Sequence, residues 1–351
     1  MAEIMNPQMI QSFLGAVPMP MVLIGANERV LEMNTWAVAV FGPNLTGRHY
    51  VTALRNPALL DCVEEVFRLS QPCRARYLTT LLERDCVYDV SASPMTLEAG
   101  GLGVLMAFED VTDREQAQEI RRDFVANVSH ELKTPLTAML GFIETLLGPA
   151  KDDPKAQVRF LEIMRREAVR MDRLVQDLLS LSRVENQGRQ QPRGQVDVVA
   201  LVQSCTATLR SLAQAGGVEI HTTGHLDPVF VQGDSDQLVQ VFTNLIENGI
   251  KYGGAGGEVT INIVLSEREM AFRGPGVRIE VRDKGEGFDP VHIPRLTERF
   301  YRIDGHRSRE QGGTGLGLAI VKHIVNRHRG RFKIESAQGQ GSVFSVMLPV
   351  G

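Results

Sequence analysis

Residues 243–252, "TNLIENGIKY", combine two kinds of side chain at the spacing of a helix. Apolar residues supply one face, and amides, a lysine and a tyrosine recur at steps of three to four residues on another: Asn244, Asn248, Lys251 and Tyr252. Such a polar face is either solvated or aimed at a magnesium-bound polyphosphate, because amide oxygens suit Mg²⁺ and a lysine suits phosphate. The stretch alone leaves both interpretations open.

Two glycine-rich stretches lie further along the chain. In "DKGEGF", Asp283 ends an apolar strand and is followed by Gly285 and Gly287. This pattern is a simple turn, or it is a carboxylate that accepts a hydrogen bond from an adenine amino group while the glycines let the backbone approach the ring. In "GGTGLGLAIVKHIV", glycines precede a predicted helix whose free N–H groups can bind phosphate: Gly312, Gly313, Gly315 and Gly317.

A dinucleotide-binding fingerprint competes for the second glycine stretch, since Glu335 follows Gly315 at the spacing of a ribose-binding acid. That fingerprint requires a buried strand directly before the glycines. The preceding residues 302–311, "RIDGHRSREQ", are polar and typical of a lid, which favours a nucleotide-phosphate site. No G-x-x-x-x-G-K-[ST] pattern occurs in the sequence, so a P-loop is excluded.

The surrounding pattern predicts a multidomain α+β protein. Residues 191–351 alternate helices with the strands "EVTINIVL", "VRIEVRDKG", "RFKIES" and "SVFSVMLP", which compose a two-layer α/β domain. Residues 114–190 carry a coiled-coil-like apolar seam and a Gly/Pro/Asp break at 148–154, which predict a helical hairpin that closes a core as a four-helix bundle in a symmetric dimer. Residues 1–113 have β-rich runs at 21–26, 74–82, 86–96 and 103–111 and a helix at 57–70, which predict a small α+β domain.

The composition is that of a globular protein in a reducing compartment. Apolar residues make up 43% and charged residues 23%, and a net charge of −4 argues against nucleic-acid binding. The apolar run at 13–26 is interrupted by two prolines and is too short to span a membrane, so we expect a cytoplasmic chain, with a membrane segment outside this sequence left open. The cysteines show neither metal-binding nor disulfide spacing: Cys62, Cys73, Cys86 and Cys205.

Five motifs in a fixed order resemble one known family. The Asn-rich helix, "DKGEGF", "ERFYR" (298–302) and the second glycine stretch are similar to the N, G1, F and G2 boxes of the GHKL-type ATP-binding domain of sensor histidine kinases. "SHELKTPL" (129–136) resembles their H box, and the resemblance covers residues 114–351. The first region is similar to a PAS sensor domain, and "RRDFVANVSHELKTPLTAMLGFIETL" looks most like the phosphate-regulon sensor kinases.

The resemblance implies that His130 is the phosphoacceptor. Elementary chemistry agrees, because a neutral imidazole nitrogen can attack a γ-phosphoryl group in line while cations screen its charge. Glu131 would orient the ring and accept its proton. Thr134, one helical turn on, matches the family position that helps to dephosphorylate the partner. Pro135 should bend the helix one turn after the histidine.

By the same resemblance, ATP and Mg²⁺ are the cofactors. Asn248 is the predicted metal ligand with Asn244 assisting, and Asp283 reads the adenine. The family usually has alanine at Gly249, and glycine costs about 1 kcal/mol in a helix interior. The remaining predicted nucleotide-binding positions are Lys251, Tyr252, Gly285, Gly287, Phe300, Arg302, Gly313, Thr314, Gly315, Leu316 and Gly317.

The implied partners are a second copy of the chain and a response regulator whose aspartate receives the phosphoryl group. No nucleic acid is expected, and the signal at the PAS-like domain is unknown. Two rival functions stay open. A gyrase- or heat-shock-chaperone-like ATPase would place a water-activating glutamate where this chain has Asn244. A catalytically silent scaffold would bind ATP and dimerise without transferring phosphate.

Overall fold

The computed structural model describes residues 7–97, 101–186, 191–253, 257–303 and 313–350. The chain divides into two compact units, Met1–Ala126 and Asn127–Gly351, and the division falls inside a long helix. The predicted boundary at residue 113 lies near the start of that helix instead. None of the described helices combines the length and the apolar character that crossing a membrane requires.

The first unit is built on a five-stranded antiparallel sheet. Its strands are β1 (Met21–Ile24), β2 (Val30–Met33), β3 (Cys73–Leu81), β4 (Arg84–Thr96) and β5 (Leu102–Asp110), in the order β2-β1-β5-β4-β3. Its helices are α1 (Pro7–Ala16), α2 (Thr35–Phe41), α3 (Tyr50–Leu54) and α4 (Pro57–Leu69). The predicted strands and the predicted helix are present with ends shifted by up to two residues, whereas β2, α1, α2 and α3 were not predicted.

One face of this sheet forms the core of the first unit. Val90, Met106 and Phe108 are almost fully buried and pack in one cluster with Leu59 and Val63 of α4. Asn56 caps α4 by accepting the Leu59 N–H at 3.3 Å, which fixes where the helix begins. Cys62, Cys73 and Cys86 of this unit are free thiols in the structure.

A helical hairpin follows, made of α5 (Thr112–Leu147) and α6 (Pro154–Asn186). The helix α5 runs through Pro135 without interruption, although proline offers no N–H to the carbonyl of Glu131. In the predicted seam of α6, Leu174 and Leu181 are 4% and 1% exposed, so they pack within this chain. Other apolar side chains of the hairpin remain exposed: Leu136, Leu140, Ile143, Leu147, Val158, Leu161, Val169, Val175 and Leu179.

The rest of the second unit is a helical layer on a five-stranded mixed sheet, which confirms the two-layer prediction. The helices are α7 (Val198–Ala215), α8 (Ser235–Gly253) and α9 (Gly317–Arg327), with a 3₁₀ turn at Pro290–Arg295. The sheet has the order β11-β12-β10-β9-β7, in which the β7–β9 pair is parallel, and a separate pair joins β6 to β8. The strands are β6 (Gln195–Asp197), β7 (Glu219–Gly224), β8 (Phe230–Gln232), β9 (Glu258–Glu269), β10 (Gly274–Asp283), β11 (Arg331–Ser336) and β12 (Ser342–Pro349).

The helix α8 lies close to the sheet because of the glycine at position 249. A Cβ atom built on Gly249 would lie 3.2 Å from both Cγ atoms of Val259 on β9, closer than most such contacts. Leu245 and Ile246 of α8 are fully buried, which turns the opposite, polar face of the helix away from the core. The tight packing of α8 on β9 therefore accounts for the glycine that the family resemblance marks as unusual.

A buried histidine holds the start of α8. His328 is 1% exposed; its Nε2 accepts the Asp234 N–H at 3.0 Å, and its Nδ1 lies 2.8 Å from the Ile324 carbonyl, to which it donates. Asp234 in turn accepts the Gln237 N–H in the first turn of α8 at 3.2 Å. Protonation of Nε2 would place its N–H directly against the Asp234 N–H, and two donors cannot bond to each other. The neutral imidazole is therefore the form that fits.

We expect His328 to make folding stability depend on pH. Burial lowers its pKa below the ordinary value of 6.5, against opposing effects of the Ile324 carbonyl and of nearby Asp234, and with Arg327 acting in the same direction as burial. Because the unfolded chain then binds the proton more readily, stability is full above pH 6.5 and falls as the pH drops from there to the folded-state pKa. Urea unfolding at several pH values should show a steeper acid-side loss for the native chain than for His328→Gln. Parallel curves would contradict this assignment.

Candidate nucleotide-binding site

The motifs read from the sequence converge on one cavity of about 440 Å³ in the second unit. The helix α8, the end of β10, the start of α9 and, in addition, α6 of the hairpin all contribute to its wall. Of the predicted positions, those lining the cavity are Asn244, Asn248, Lys251, Tyr252, Asp283, Gly287, Arg302, Gly313, Thr314, Gly315 and Gly317. Gly285, Phe300 and Leu316 do not line it.

The amide face of α8 offers oxygen donors to a metal. Asn244 and Asn248 line the cavity one turn apart, and the Nδ2 atom of Asn244 is buried with no hydrogen-bond partner among the described residues. An amide turned about its last torsion presents its oxygen at the same place. No cluster of three or more His, Cys, Asp or Glu able to hold a metal occurs in the described part of the chain. Hard amide oxygens in small number suit Mg²⁺ that is held mainly by substrate phosphates.

Asp283 provides a buried acceptor at the end of β10. Its side chain is 5% exposed, its Oδ1 accepts the Gly285 N–H at 3.0 Å, and burial raises the pKa of the carboxyl. Gly287 has φ +59°, and a Cβ there would lie 2.1 Å from the Ala337 carbonyl oxygen, so a side chain does not fit. Glycine therefore lets the backbone that follows the buried Asp283 carboxylate pack tightly against Ala337.

The N–H groups in the first turn of α9 have no acceptor within the helix itself. Leu316 at its N-cap makes no side-chain cap, and both Gly317 and Leu318 line the cavity. Gly315 has φ +73°, and a Cβ there would lie 2.9 Å from the Phe300 Cα, which explains the glycine. The N–H of Phe300 donates to the Gly315 carbonyl at 2.8 Å, which joins the F box to the G2 box. Most of the predicted lid, residues 304–312 with Gly312, lies outside the described residues.

The three predicted catalytic residues lie on α5, outside the cavity lining. His130 is exposed, and its carbonyl accepts the Thr134 hydroxyl at 3.1 Å. Glu131 Oε2 accepts hydrogen bonds from Arg170 Nη2 at 2.8 Å and from Arg302 Nη2 at 3.2 Å. Glu131, expected to face the histidine ring as a base, is here bound by two guanidinium groups.

Arg302 therefore contacts both the cavity and the hairpin, a connection that the sequence did not reveal. It lines the cavity, is 9% exposed and binds the carboxylate next to His130. Burial lowers the pKa of its guanidinium, against the opposing effect of Glu131. Its Nε has no partner among the described residues. The predicted nucleotide-binding arginine is engaged with the hairpin in this structure.

Glu247, Arg173 and Asp177 are among the cavity residues that the sequence analysis did not name. Glu247 accepts from Lys251 Nζ at 2.9 Å, a pair whose spacing of four residues could have revealed it. Arg173 and Asp177 come from α6, and Asp177 accepts the Thr314 hydroxyl at 2.6 Å. Burial raises the pKa of the Asp177 carboxyl. No sequence signal marks the last two, because their place in the cavity depends on how α6 packs on the helical layer.

Comparison with known proteins assigns both parts of this unit. Residues 233–351 match the family of histidine kinase-, DNA gyrase B- and HSP90-like ATPases, and residues 120–187 match the His Kinase A (phospho-acceptor) domain. The histidine kinase ThkA, solved in complex with the response regulator TrrA, shares the fold with a TM-score of 0.51 and 21% identity, over 97% of this chain and 98% of that one.

Relatives known from their sequences point the same way. The phosphate regulon sensor protein PhoR of Pseudomonas aeruginosa is 43% identical over 244 residues, which are 69% of this chain and 53% of that protein. The sensor histidine kinase WalK of Bacillus subtilis is 36% identical over 76% of this chain and 44% of that protein, so the chain spans about half the length of these two relatives. A WalK of Staphylococcus aureus is 35% identical over 82% of this chain and 68% of that protein. With a phospho-acceptor domain followed by an ATPase domain and with these relatives, the chain belongs to the sensor histidine kinases.

Proposed function

We propose that the chain is an ATP-dependent protein-histidine kinase that phosphorylates His130 and passes the phosphoryl group to an aspartate of a response regulator. One observation carries the proposal: a single cavity gathers the amides, the lysine, the buried aspartate and the glycines of separate motifs, in a unit whose hairpin displays an exposed histidine. This chemistry needs positioning and charge neutralisation more than covalent participation of the protein.

The cavity has a complementary group for each part of ATP. The Asp283 carboxylate accepts a hydrogen bond from the adenine amino group. The N–H groups at the start of α9 and the Lys251 ammonium bind the phosphates. The amide oxygens of Asn248 and Asn244 would hold Mg²⁺, which when bound neutralises charge on the phosphates. Thr314 and Tyr252 border the same space.

Transfer joins the His130 ring to the γ-phosphorus. A lone pair of an imidazole nitrogen forms the N–P bond, the bond from the γ-phosphorus to the bridging oxygen breaks, and ADP leaves. The ring proton passes to the Glu131 carboxylate, the nearest acid in sequence. Both guanidinium contacts, from Arg170 and from Arg302, end on Oε2 in this structure, so Oε1 is the atom of Glu131 that would take the proton.

The partners of this reaction are a second copy of the chain and a response regulator. The exposed apolar side chains of α5 and α6 would be covered in a four-helix bundle formed by two hairpins. ThkA was solved in complex with a response regulator, which supports a partner of that kind for this chain. The relative PhoR is named a phosphate regulon sensor protein, which supports a phosphate-responsive pathway. The first unit would act as a PAS-like sensor of an unknown signal.

Incubation of the full chain with γ-labelled ATP and Mg²⁺ tests the proposal. Label should appear on the protein, and it should be labile in acid and stable in alkali, as a phosphorus–nitrogen bond requires. Binding of ATP without labelling would favour the silent scaffold instead. Label that survives acid would point to a hydroxyl acceptor and would overturn the assignment to histidine.

Thr134→Ala should impair dephosphorylation of the response regulator more than autophosphorylation. Its hydroxyl sits one turn after His130, where it can orient a water, and we expect the rate of dephosphorylation to fall by at least about tenfold. Thr145→Ala is a matched control, because the Thr145 hydroxyl makes the same kind of bond, to the Gly141 carbonyl at 2.7 Å, further along α5. Equal loss of both activities in Thr134→Ala would refute this role.

A further inference from the structure

The helix α6 of the hairpin places a cation in the wall of the nucleotide cavity. Arg173 lines the cavity together with Asn248 and Lys251, although it lies far from both in sequence. We infer that Arg173 binds a phosphate of the nucleotide, so that the nucleotide site is completed by the hairpin. This inference rests on the proposed function, because it takes ATP as the occupant of the cavity.

The other cations of the described cavity wall are already engaged. Lys251 is paired with Glu247 at 2.9 Å, and both side chains are less than one-fifth exposed. Arg302 is 9% exposed and paired with Glu131 at 3.2 Å. Arg173 is 46% exposed, and its nearest ion-pair contact is the longer one of 3.5 Å to Glu247. Among these three, Arg173 is the cation with the most freedom to exchange its partner.

The present partner of Arg173 is one that a nucleotide can replace. Glu247 Oε2 is shared between Lys251 and Arg173, and the Asp177 carboxylate lies near both cations as well. A polyphosphate brings several negative charges into the same cavity and presents paired oxygens that match the fork of a guanidinium. Arg173 can then turn from Glu247 to a phosphate, while Lys251, which has three N–H donors, contacts a phosphate and keeps the carboxylate as a neighbour.

A second contact fixes α6 at this wall. Asp177, one helical turn after Arg173, accepts the Thr314 hydroxyl at 2.6 Å, and Thr314 is 7% exposed at the start of the glycine stretch. Leu174, between them in sequence, is 4% exposed. The buried leucine and the partly buried hydrogen bond set the rotation of the helix, which leaves Arg173 at the edge of the cavity.

Calorimetric titration of the full chain with a non-hydrolysable ATP analogue and Mg²⁺ tests the inference. Arg173→Ala should weaken the affinity by at least about tenfold, the loss of one charge-assisted contact, and Arg173→Lys should retain part of it. Arg166→Ala is the matched control, because Arg166 is exposed two turns earlier on the same helix and does not line the cavity; it should bind as the native chain does. Adenosine has no phosphate, so its affinity, measured by competition with the analogue, should be the same for the native chain and for Arg173→Ala.

Glu247→Gln separates phosphate binding from simple docking of the hairpin. If Arg173 only paired with Glu247 to hold α6 in place, Glu247→Gln would weaken binding as much as Arg173→Ala does. Phosphate binding predicts that Glu247→Gln binds the analogue at least as tightly as the native chain, since a negative charge has left the cavity. Equal losses for the analogue and adenosine, or an Arg173→Ala affinity equal to the native one, would overturn the inference and leave the proposed function standing. No binding by the native chain would overturn both.

Discussion

His130→Gln is expected to abolish phosphoryl transfer to the protein while leaving ATP binding intact. Glutamine is a good helix former, and the position is exposed, so α5 should keep its structure. The amide of glutamine has no nucleophilic ring nitrogen, so no phosphorus–nitrogen bond can form. Because His130 does not line the cavity, the affinity for the non-hydrolysable analogue should equal that of the native chain.

His221 provides the control for His130→Gln, because it is also a histidine exposed to solvent. His221 on β7 is half exposed and lies outside the cavity lining, so His221→Gln should be labelled like the native chain. Labelling is measured after quenching in alkali, which preserves phosphohistidine. Label on His130→Gln at the native level would mean that another residue is the acceptor.

Asn248→Ala should lower autophosphorylation by at least about a hundredfold, close to 2.7 kcal/mol in activation free energy. The variant loses the amide oxygen predicted to hold Mg²⁺ but keeps Lys251 and Asp283, the groups proposed to bind the phosphates and the adenine. We therefore expect a nucleotide affinity that no longer depends on Mg²⁺. The measurement is a titration of the ATP analogue with and without excess Mg²⁺.

Asn326→Ala provides the control for the asparagine. Asn326 is exposed on α9 and does not line the cavity, so its removal should change neither labelling nor the response to Mg²⁺. If Asn248→Ala keeps the Mg²⁺ dependence of the native chain, the metal is held elsewhere, and Asn248 is part of a solvated helix face.

Much of the second unit could be predicted because its signals are local. The strands β11 and β12 have the predicted ends, since each is an apolar run closed by turn residues. The helix α8 runs from Ser235 to Gly253 and so contains the helical stretch 243–252, and its polar face follows from the burial of the opposite face. Gly287 and Gly315 have positive φ angles and leave no room for a Cβ atom, so these positions require glycine. This requirement is why the spacing of the glycines could be used to predict the site.

The parts that could not be predicted depend on packing between distant segments. Arg302 reaches Glu131 across 171 positions, and Asp177 reaches Thr314 across 137, so neither contact has a sequence period. In the first unit, β2 and α3 have four and five residues, too few to show an alternation or a helical face. For Glu131, the sequence shows its position next to the histidine, but it does not show its two guanidinium partners, which come from distant segments.

The most direct test of the central claim is to locate the phosphate. Trypsin cleaves after Arg122 and Lys133, and the peptide 123–133, "DFVANVSHELK", contains His130 and a single hydroxyl side chain, Ser129. After reaction with ATP and Mg²⁺ and digestion at alkaline pH, fragmentation mass spectrometry should find one added phosphoryl group on the imidazole of His130. A phosphoryl group on Ser129, or on any other peptide with this one unmodified, would contradict the account.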